Sequence, residues 1–224
     1  MSRTTFNQEM QTVKDDILLL GSMVEDAVIK SAEALRDNNL ERSRYVIAND
    51  IYINQRRFEI ESAIIVLMAT QQPIARDLRL LAVSLNVCIE LERMGDYAKG
   101  IANINLRSGG LSMPSILREI YAMAEKVVDM MHRAMTTFVD EDMQKAKAII
   151  QDDKMIDQCY TALYYDAVGS VVGDPRNIER VNYIIWIAHN LERLGDRTIN
   201  ICECVIYLVS GERYYYDMSM TNEN

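Results

Sequence analysis

Leu91-Glu92-Arg93-Met94-Gly95-Asp96 and Leu191-Glu192-Arg193-Leu194-Gly195-Asp196 are one motif written twice in a chain of 224 residues. Each copy ends an apolar series spaced by three and four: Leu81, Leu85 and Cys88 before the first, Ile185 and Ala188 before the second. That spacing is the signature of a helix burying one stripe. The surroundings repeat as well. Asp37, Leu40, Ser43, Val46, Ile47, Asp50, Ile53 and Asn54 match Asp140, Met143, Ala146, Ile149, Ile150, Asp153, Ile156 and Asp157 at one constant offset. The two motifs match at a slightly shorter offset, so residues are missing at the turn before the motif-bearing helix of the second half. Self-similarity of this length identifies a tandem repeat.

Working outward, a first helix carries Met10, Val13, Ile17, Leu20, Val24, Ala27 and Ala34 on one stripe. Asp37-Asn38-Asn39 breaks it, and Asp37 or Asn38 is expected to cap a second helix running from about Leu40 to Thr70. Gln71-Gln72-Pro73 ends that helix, and a third runs from about Arg76 to Leu106. Ser108-Gly109-Gly110-Leu111-Ser112-Met113-Pro114 has the composition of a linker. Ile116, Ile120, Met123, Val127, Met130 and Ala134 define a fourth helix. Asp140 starts a fifth, to about Val171, and Gly173-Asp174-Pro175 opens a sixth, to about Val209, with proline suited to the first turn. The expected fold is all-α: six long helices forming two tandem, pseudo-symmetric antiparallel three-helix bundles. The expected units are 1–107 and 115–211, with a linker at 108–114 and a frayed tail at 212–224 that holds Tyr214-Tyr215-Tyr216. Helices of about 30 residues would be roughly 45 Å long.

The net charge of −9 disfavours nucleic acid and anionic membrane as direct partners, because both require a basic patch. The densest apolar run, Ala63 to Ala69, is too short to span a bilayer, and Met1 to Phe6 lacks a signal-peptide core. These features point to the cytoplasm, with membranes met only through protein partners. Cys88, Cys159, Cys202 and Cys204 form no CxxC pair and read as small core residues. His132 and His189 occupy unmatched positions and read as interior or surface residues rather than ligands. No P-loop, Gly-x-Ser-x-Gly, His-Glu-x-x-His or nucleotide fingerprint is present, and the paired Glu-x-x-His of di-iron bundles is absent too.

Three seam positions break the apolar rule in both halves. Asp50 and Asp153 sit in line with the buried residues of the second and fifth helices, and Glu92 with Gly95, and Glu192 with Gly195, sit in line with those of the third and sixth. A lone buried carboxylate costs several kcal/mol unless paired or ligated, and glycine inside a helix costs ~1 kcal/mol relative to alanine. Glycine also lets another group approach the backbone closely. Glu92 with Asp96, Glu192 with Asp196, and Asp153 with Asp157 are i, i+4 pairs that share a helix face. Asn200 and Glu203 are read as extending the face of the sixth helix. Two such helices facing each other would converge four carboxylates, the chemistry by which bundles bind hard or borderline metal ions. Solvated helix faces and ion pairs with Arg93 and Arg193 are the plainer reading of the same residues.

At these residues the chain resembles the PhoU family of phosphate-uptake regulators, which carry two three-helix halves, each with a Glu/Asp-x-x-x-Asp motif. Gln71-Gln72-Pro73-Ile74-Ala75-Arg76-Asp77-Leu78-Arg79 resembles that family's turn between second and third helices, and the likeness runs from about Phe6 to Gly211. The resemblance implies a non-enzymatic cytoplasmic adaptor between the ATPase subunit of the phosphate ABC transporter and a phosphate-responsive sensor histidine kinase. Such a protein represses phosphate uptake and the phosphate-starvation response when phosphate is plentiful. It also implies metal binding through the acidic motifs, with iron first and zinc, manganese, magnesium or nickel left open. The candidate ligands are Asp50, Asn54, Glu92, Asp96 and Asn103 in the first half, and Asp153, Asp157, Glu192, Asp196, Asn200 and Glu203 in the second. Gly100 supplies no ligand opposite Asn200. The second half therefore has more carboxylates and is expected to bind a cation more tightly. A homodimer is expected from the two exposed bundle faces. Two other readings share the acidic clusters: a carboxylate-bridged metalloenzyme of the helical-bundle type, and a purely structural helical scaffold.

Overall fold

Long amphipathic stretches with few glycines or prolines fold here into six helices: α1 (Arg3–Arg36), α2 (Leu40–Gln71), α3 (Ala75–Ser108), α4 (Pro114–Asp140), α5 (Met143–Gly173) and α6 (Ile178–Ser210). The computed structural model describes residues 3–214, and among them there are no strands. The expected tail lies outside the described residues from 215 onward. α1 starts earlier than its sequence pattern indicates, because Phe6 is already buried.

The helix boundaries are set by local hydrogen bonding. Asn39, not Asp37 or Asn38, caps α2: its side chain accepts from the Arg42 backbone N–H at 2.9 Å. Asp142, not Asp140, caps α5, accepting from the N–H groups of Gln144 and Lys145, each at 3.0 Å. An Asn or Asp in this position satisfies amide donors that the helix itself leaves unpaired. Pro175 opens a short 3-10 turn, Pro175–Asn177, and α6 begins only after it. α3 ends at Gly109 and Gly110, whose φ angles of 66° and 98° turn the chain into the linker.

α1, α2 and α3 pack on one another, as do α4, α5 and α6, giving the two three-helix bundles. The bundles meet where α1 faces α4 and where α3 faces α6, so α2 and α5 lie on opposite flanks. One continuous apolar cluster runs through both halves, from Phe6, Ile17 and Leu20 on α1 to Leu191, Ile201 and Leu208 on α6. Two polar ties cross it. Asn105 Nδ2, fully buried on α3, donates to the Ala34 carbonyl on α1 at 3.0 Å and to Ser43 Oγ on α2 at 2.9 Å. Glu141, in the turn between α4 and α5, accepts from Lys14 Nζ on α1 at 2.8 Å and pairs with Arg76 on α3. Burial pushes the Glu141 carboxyl up, but the hydrogen bonds from Lys14 and Arg76 outweigh it and hold the group below its ordinary value. No described helix is long and apolar enough to cross a membrane.

Candidate functional site

The two glycines of the repeated motif mark where α2 approaches α3 and α5 approaches α6. A Cβ on Gly195 would stand 2.9 Å from Asp153 Oδ1 and 3.4 Å from Ile156 Cγ2; on Gly95 it would stand 3.2 Å from Ile53 Cγ2 and 3.9 Å from Asp50 Oδ1. What approaches each bare backbone is therefore the seam aspartate and the isoleucine three residues after it. Asp50 and Asp153 are only 4% and 2% exposed. Each sits against the helix that carries the Glu-x-x-x-Asp pair.

In the second half the acidic residues converge. Burial raises the Asp153 carboxyl to about 7, reinforced by the charges of Asp157, Asp196 and Glu192. Burial also raises Asp157, with Asp196 adding to it, and raises Glu192, with Asp196 adding to it. Cationic relief comes from the rim. Arg193, 43% exposed, places Nη1 3.1 Å from Asp196 Oδ2 and Nε 3.9 Å from Glu192 Oε2. His189, expected from the sequence to be an interior or surface residue rather than a ligand, is 49% exposed and has Nδ1 3.3 Å from Glu192 Oε2, close but not aligned for a hydrogen bond, so that oxygen is buried without one. Asn200 and Glu203 are elsewhere. Asn200 Nδ2 donates to Glu90 Oε2 on α3 at 3.1 Å, beside Arg197 Nη1 at 3.3 Å. Glu203 lines a cleft of about 250 Å³ with Asn86, Glu90, Cys204, Tyr207 and others. Further along the same face the neighbour is α3 rather than the acidic cluster, and Asn200 and Glu203 serve the α3–α6 junction. Gly100 faces the same junction, 3.4 Å from Asn190 Oδ1 if it carried a Cβ.

The first half is built differently. Asp50 Oδ2 accepts from Lys99 Nζ at 2.7 Å and from Asn54 Nδ2 at 3.1 Å. Burial raises Glu92, with Asp96 adding to it and Arg57 opposing; burial raises Asp96, with Asp50 adding to it and Lys99 opposing. Asn103 is exposed on α3. By the repeat register Lys99 corresponds to Ile199 and Arg57 to Tyr160, so two cations of the first half have no charged counterpart in the second. The seam pattern does not single out Lys99; the unequal register pair Lys99 and Ile199 is the signal of it in the sequence.

The four cysteines are free, and burial pushes the thiols of Cys88, Cys202 and Cys204 up to about 12, which keeps them protonated and poorly nucleophilic at neutral pH. As a metal seat, the second-half donors have suitable chemistry: four carboxyl groups, three of which, Asp153, Asp157 and Glu192, hold their protons more tightly than usual through burial and the neighbouring negative charges. Among the described residues no three His, Cys, Asp or Glu side chains are already gathered as a metal-holding group, so binding there requires side-chain rotation. The first-half donors do not fit, because an ammonium already rests on the buried carboxylate. A carboxyl that holds its proton more tightly folded than unfolded favours the folded state while protonated. Its contribution is complete below the ordinary carboxylate range and is lost as pH rises toward 7 and above. Asp153→Asn should therefore raise the melting temperature at pH 8 by several degrees and change it little at pH 4.5, measured by calorimetry in chelator. An equal shift at both pH values would show that charge on Asp153 is not the cause.

The same fold occurs in known proteins. The PhoU domain family model matches the chain twice, over residues 17–104 and 120–205. The phosphate-specific transport system accessory protein PhoU homolog of Clostridium acetobutylicum is 31% identical over 214 residues, which is 95% of this chain and 98% of that protein. The crystal structure of PhoU from Pseudomonas aeruginosa superposes with a TM-score of 0.86 at 35% identity, over 92% of this chain and all of that one. The crystal structure of the phosphate transport system regulatory protein PhoU from Streptococcus pneumoniae gives the same TM-score at 30% identity over 94% of this chain. With both halves matched and nearly the whole length shared, the chain belongs to the PhoU family.

Proposed function

We propose that this protein is a non-enzymatic regulator of phosphate uptake, acting as an accessory to a phosphate ABC transporter. The observation that carries this reading is the likeness of both halves, over 95% of the chain, to a protein named a phosphate-specific transport system accessory protein. On this reading it binds the transporter's ATPase subunit in the cytoplasm, contacts a phosphate-responsive sensor histidine kinase, and represses the starvation response when phosphate is abundant. The lack of a helix able to cross a membrane among the described residues agrees with attachment through protein partners. In the organism that carries this chain, deleting it should leave a phosphate-starvation reporter on in high phosphate, several-fold above wild type. Normal repression in the deletion strain would refute the proposal.

Two finer features belong to the same reading. The acidic cluster of the second half is the proposed metal seat, with Asp153, Asp157, Glu192 and Asp196 supplying hard oxygen donors and iron the first candidate. A bound cation would supply the positive charge that this cluster lacks. The outer face of α2 is the proposed homodimer seam: Ile51, Phe58 and Ile65 recur every seven residues and are 64%, 57% and 55% exposed. That is a heptad stripe on a helix whose other faces pack on α1 and α3, and a second copy of α2 presents the matching stripe. Protein purified without chelators should contain metal that Asp196→Ala loses by elemental analysis. In light scattering it should run as a dimer that Phe58→Glu converts to a monomer. Unchanged metal in the first variant, or unchanged mass in the second, would remove the corresponding feature.

A further inference from the structure

We infer that Lys99 is a tethered counter-ion that closes the first-half acidic cluster to divalent cations, so that the two halves of the repeat have different ionic roles. The geometry is specific. Lys99 Nζ rests 2.7 Å from Asp50 Oδ2, and Asn54 Nδ2 donates to the same oxygen at 3.1 Å. A cation bound through that oxygen would need a distance of roughly 2.0–2.6 Å, inside the space the ammonium and amide share. The other oxygen, Oδ1, is buried, has no hydrogen-bond partner and faces Gly95 on α3. Of the two oxygens of the only deeply buried carboxylate in this cluster, Oδ2 is therefore held by the protein's own cation and amide, and Oδ1 is turned against α3, away from solvent.

Charge leads to the same result. Two units of positive charge brought beside an ammonium in a half-buried site are repelled, and the site's low polarisability strengthens the repulsion. Asn54 also replaces a carboxylate, standing where the second half has Asp157, and so the first half has both fewer negative charges and its own cation. In the second half Ile199 stands at the register of Lys99, 6% exposed and without charge, and among the described residues no lysine pairs with Asp153. The inference rests on the proposed metal reading only for what it says about the second half. The closure of the first half stands on the Lys99–Asp50 contact alone.

The test counts Mn2+ ions per chain by electron paramagnetic resonance, on the intact protein stripped of metal. Wild type and Asp96→Asn should bind the same number, since the first half takes none. Lys99→Gln, which keeps a hydrogen-bond donor for Asp50, should gain a first-half site that is lost again in Lys99→Gln/Asp96→Asn. Mn2+ should also raise the melting temperature of Lys99→Gln by several degrees more than that of wild type. A lower stoichiometry in Asp96→Asn than in wild type overturns the inference, and so does a folded Lys99→Gln that gains no site. If Lys99→Gln does not fold, the wild-type and Asp96→Asn comparison decides alone. Absence of Mn2+ from wild type with a gain in Lys99→Gln would sink the metal reading of the second half and leave the closure of the first intact.

Discussion

Where the aspartate in the seam of α5 lies against the bare backbone of α6 at Gly195, two demands of helix packing conflict. The helices approach because glycine presents no side chain, and the space released is filled by a carboxylate oxygen and an isoleucine methyl group rather than by apolar atoms alone. The same contact, slightly looser, joins α2 to α3 at Gly95. It sets the distance between the flanking and motif-bearing helices in each half, and so it decides which acidic residues meet. A charge withdrawn from water in this way must be neutralised, protonated or ligated. The first half neutralises Asp50 with Lys99. The second half leaves Asp153 with acidic neighbours and only rim cations.

The unequal solution sits inside an equal fold. α3 and α6 pack through the junction of Glu90, Arg197 and Asn200, and the apolar cluster crosses it without interruption. An event that changes the charge of the second-half cluster therefore acts on a helix that also forms the junction between halves. Binding of a cation, or protonation of Asp153, would relax repulsion between α5 and α6, whose packing is shared with α3 and α4. The first half, internally compensated, has no comparable response.

Most of the fold could be read from the sequence because long helices with a three-and-four apolar spacing, divided by a few Gly, Pro and Asn positions, leave little ambiguity. The repeat itself exposed Asp50 and Asp153 as seam carboxylates. Helix starts were misjudged where several capping residues stand in a row: Asn39 and Asp142 prevailed over their neighbours through hydrogen bonds to amides two or three residues ahead. Asn200 and Glu203 were misplaced because spacing along one helix does not reveal which neighbour that face meets a turn later. Lys99 is hard to single out in the sequence because a helix lysine ordinarily faces solvent, and its side chain is indeed 36% exposed although its ammonium meets the buried Asp50.

The account stands or falls on whether a buried, uncompensated carboxyl group exists in the seam of α5. Carboxyl-carbon NMR titration of the metal-free protein, with Asp153→Asn as the assignment control, measures this directly. The account predicts one aspartate resonance titrating near 7 that disappears in the variant. A spectrum in which every aspartate titrates within the ordinary carboxylate range would contradict it.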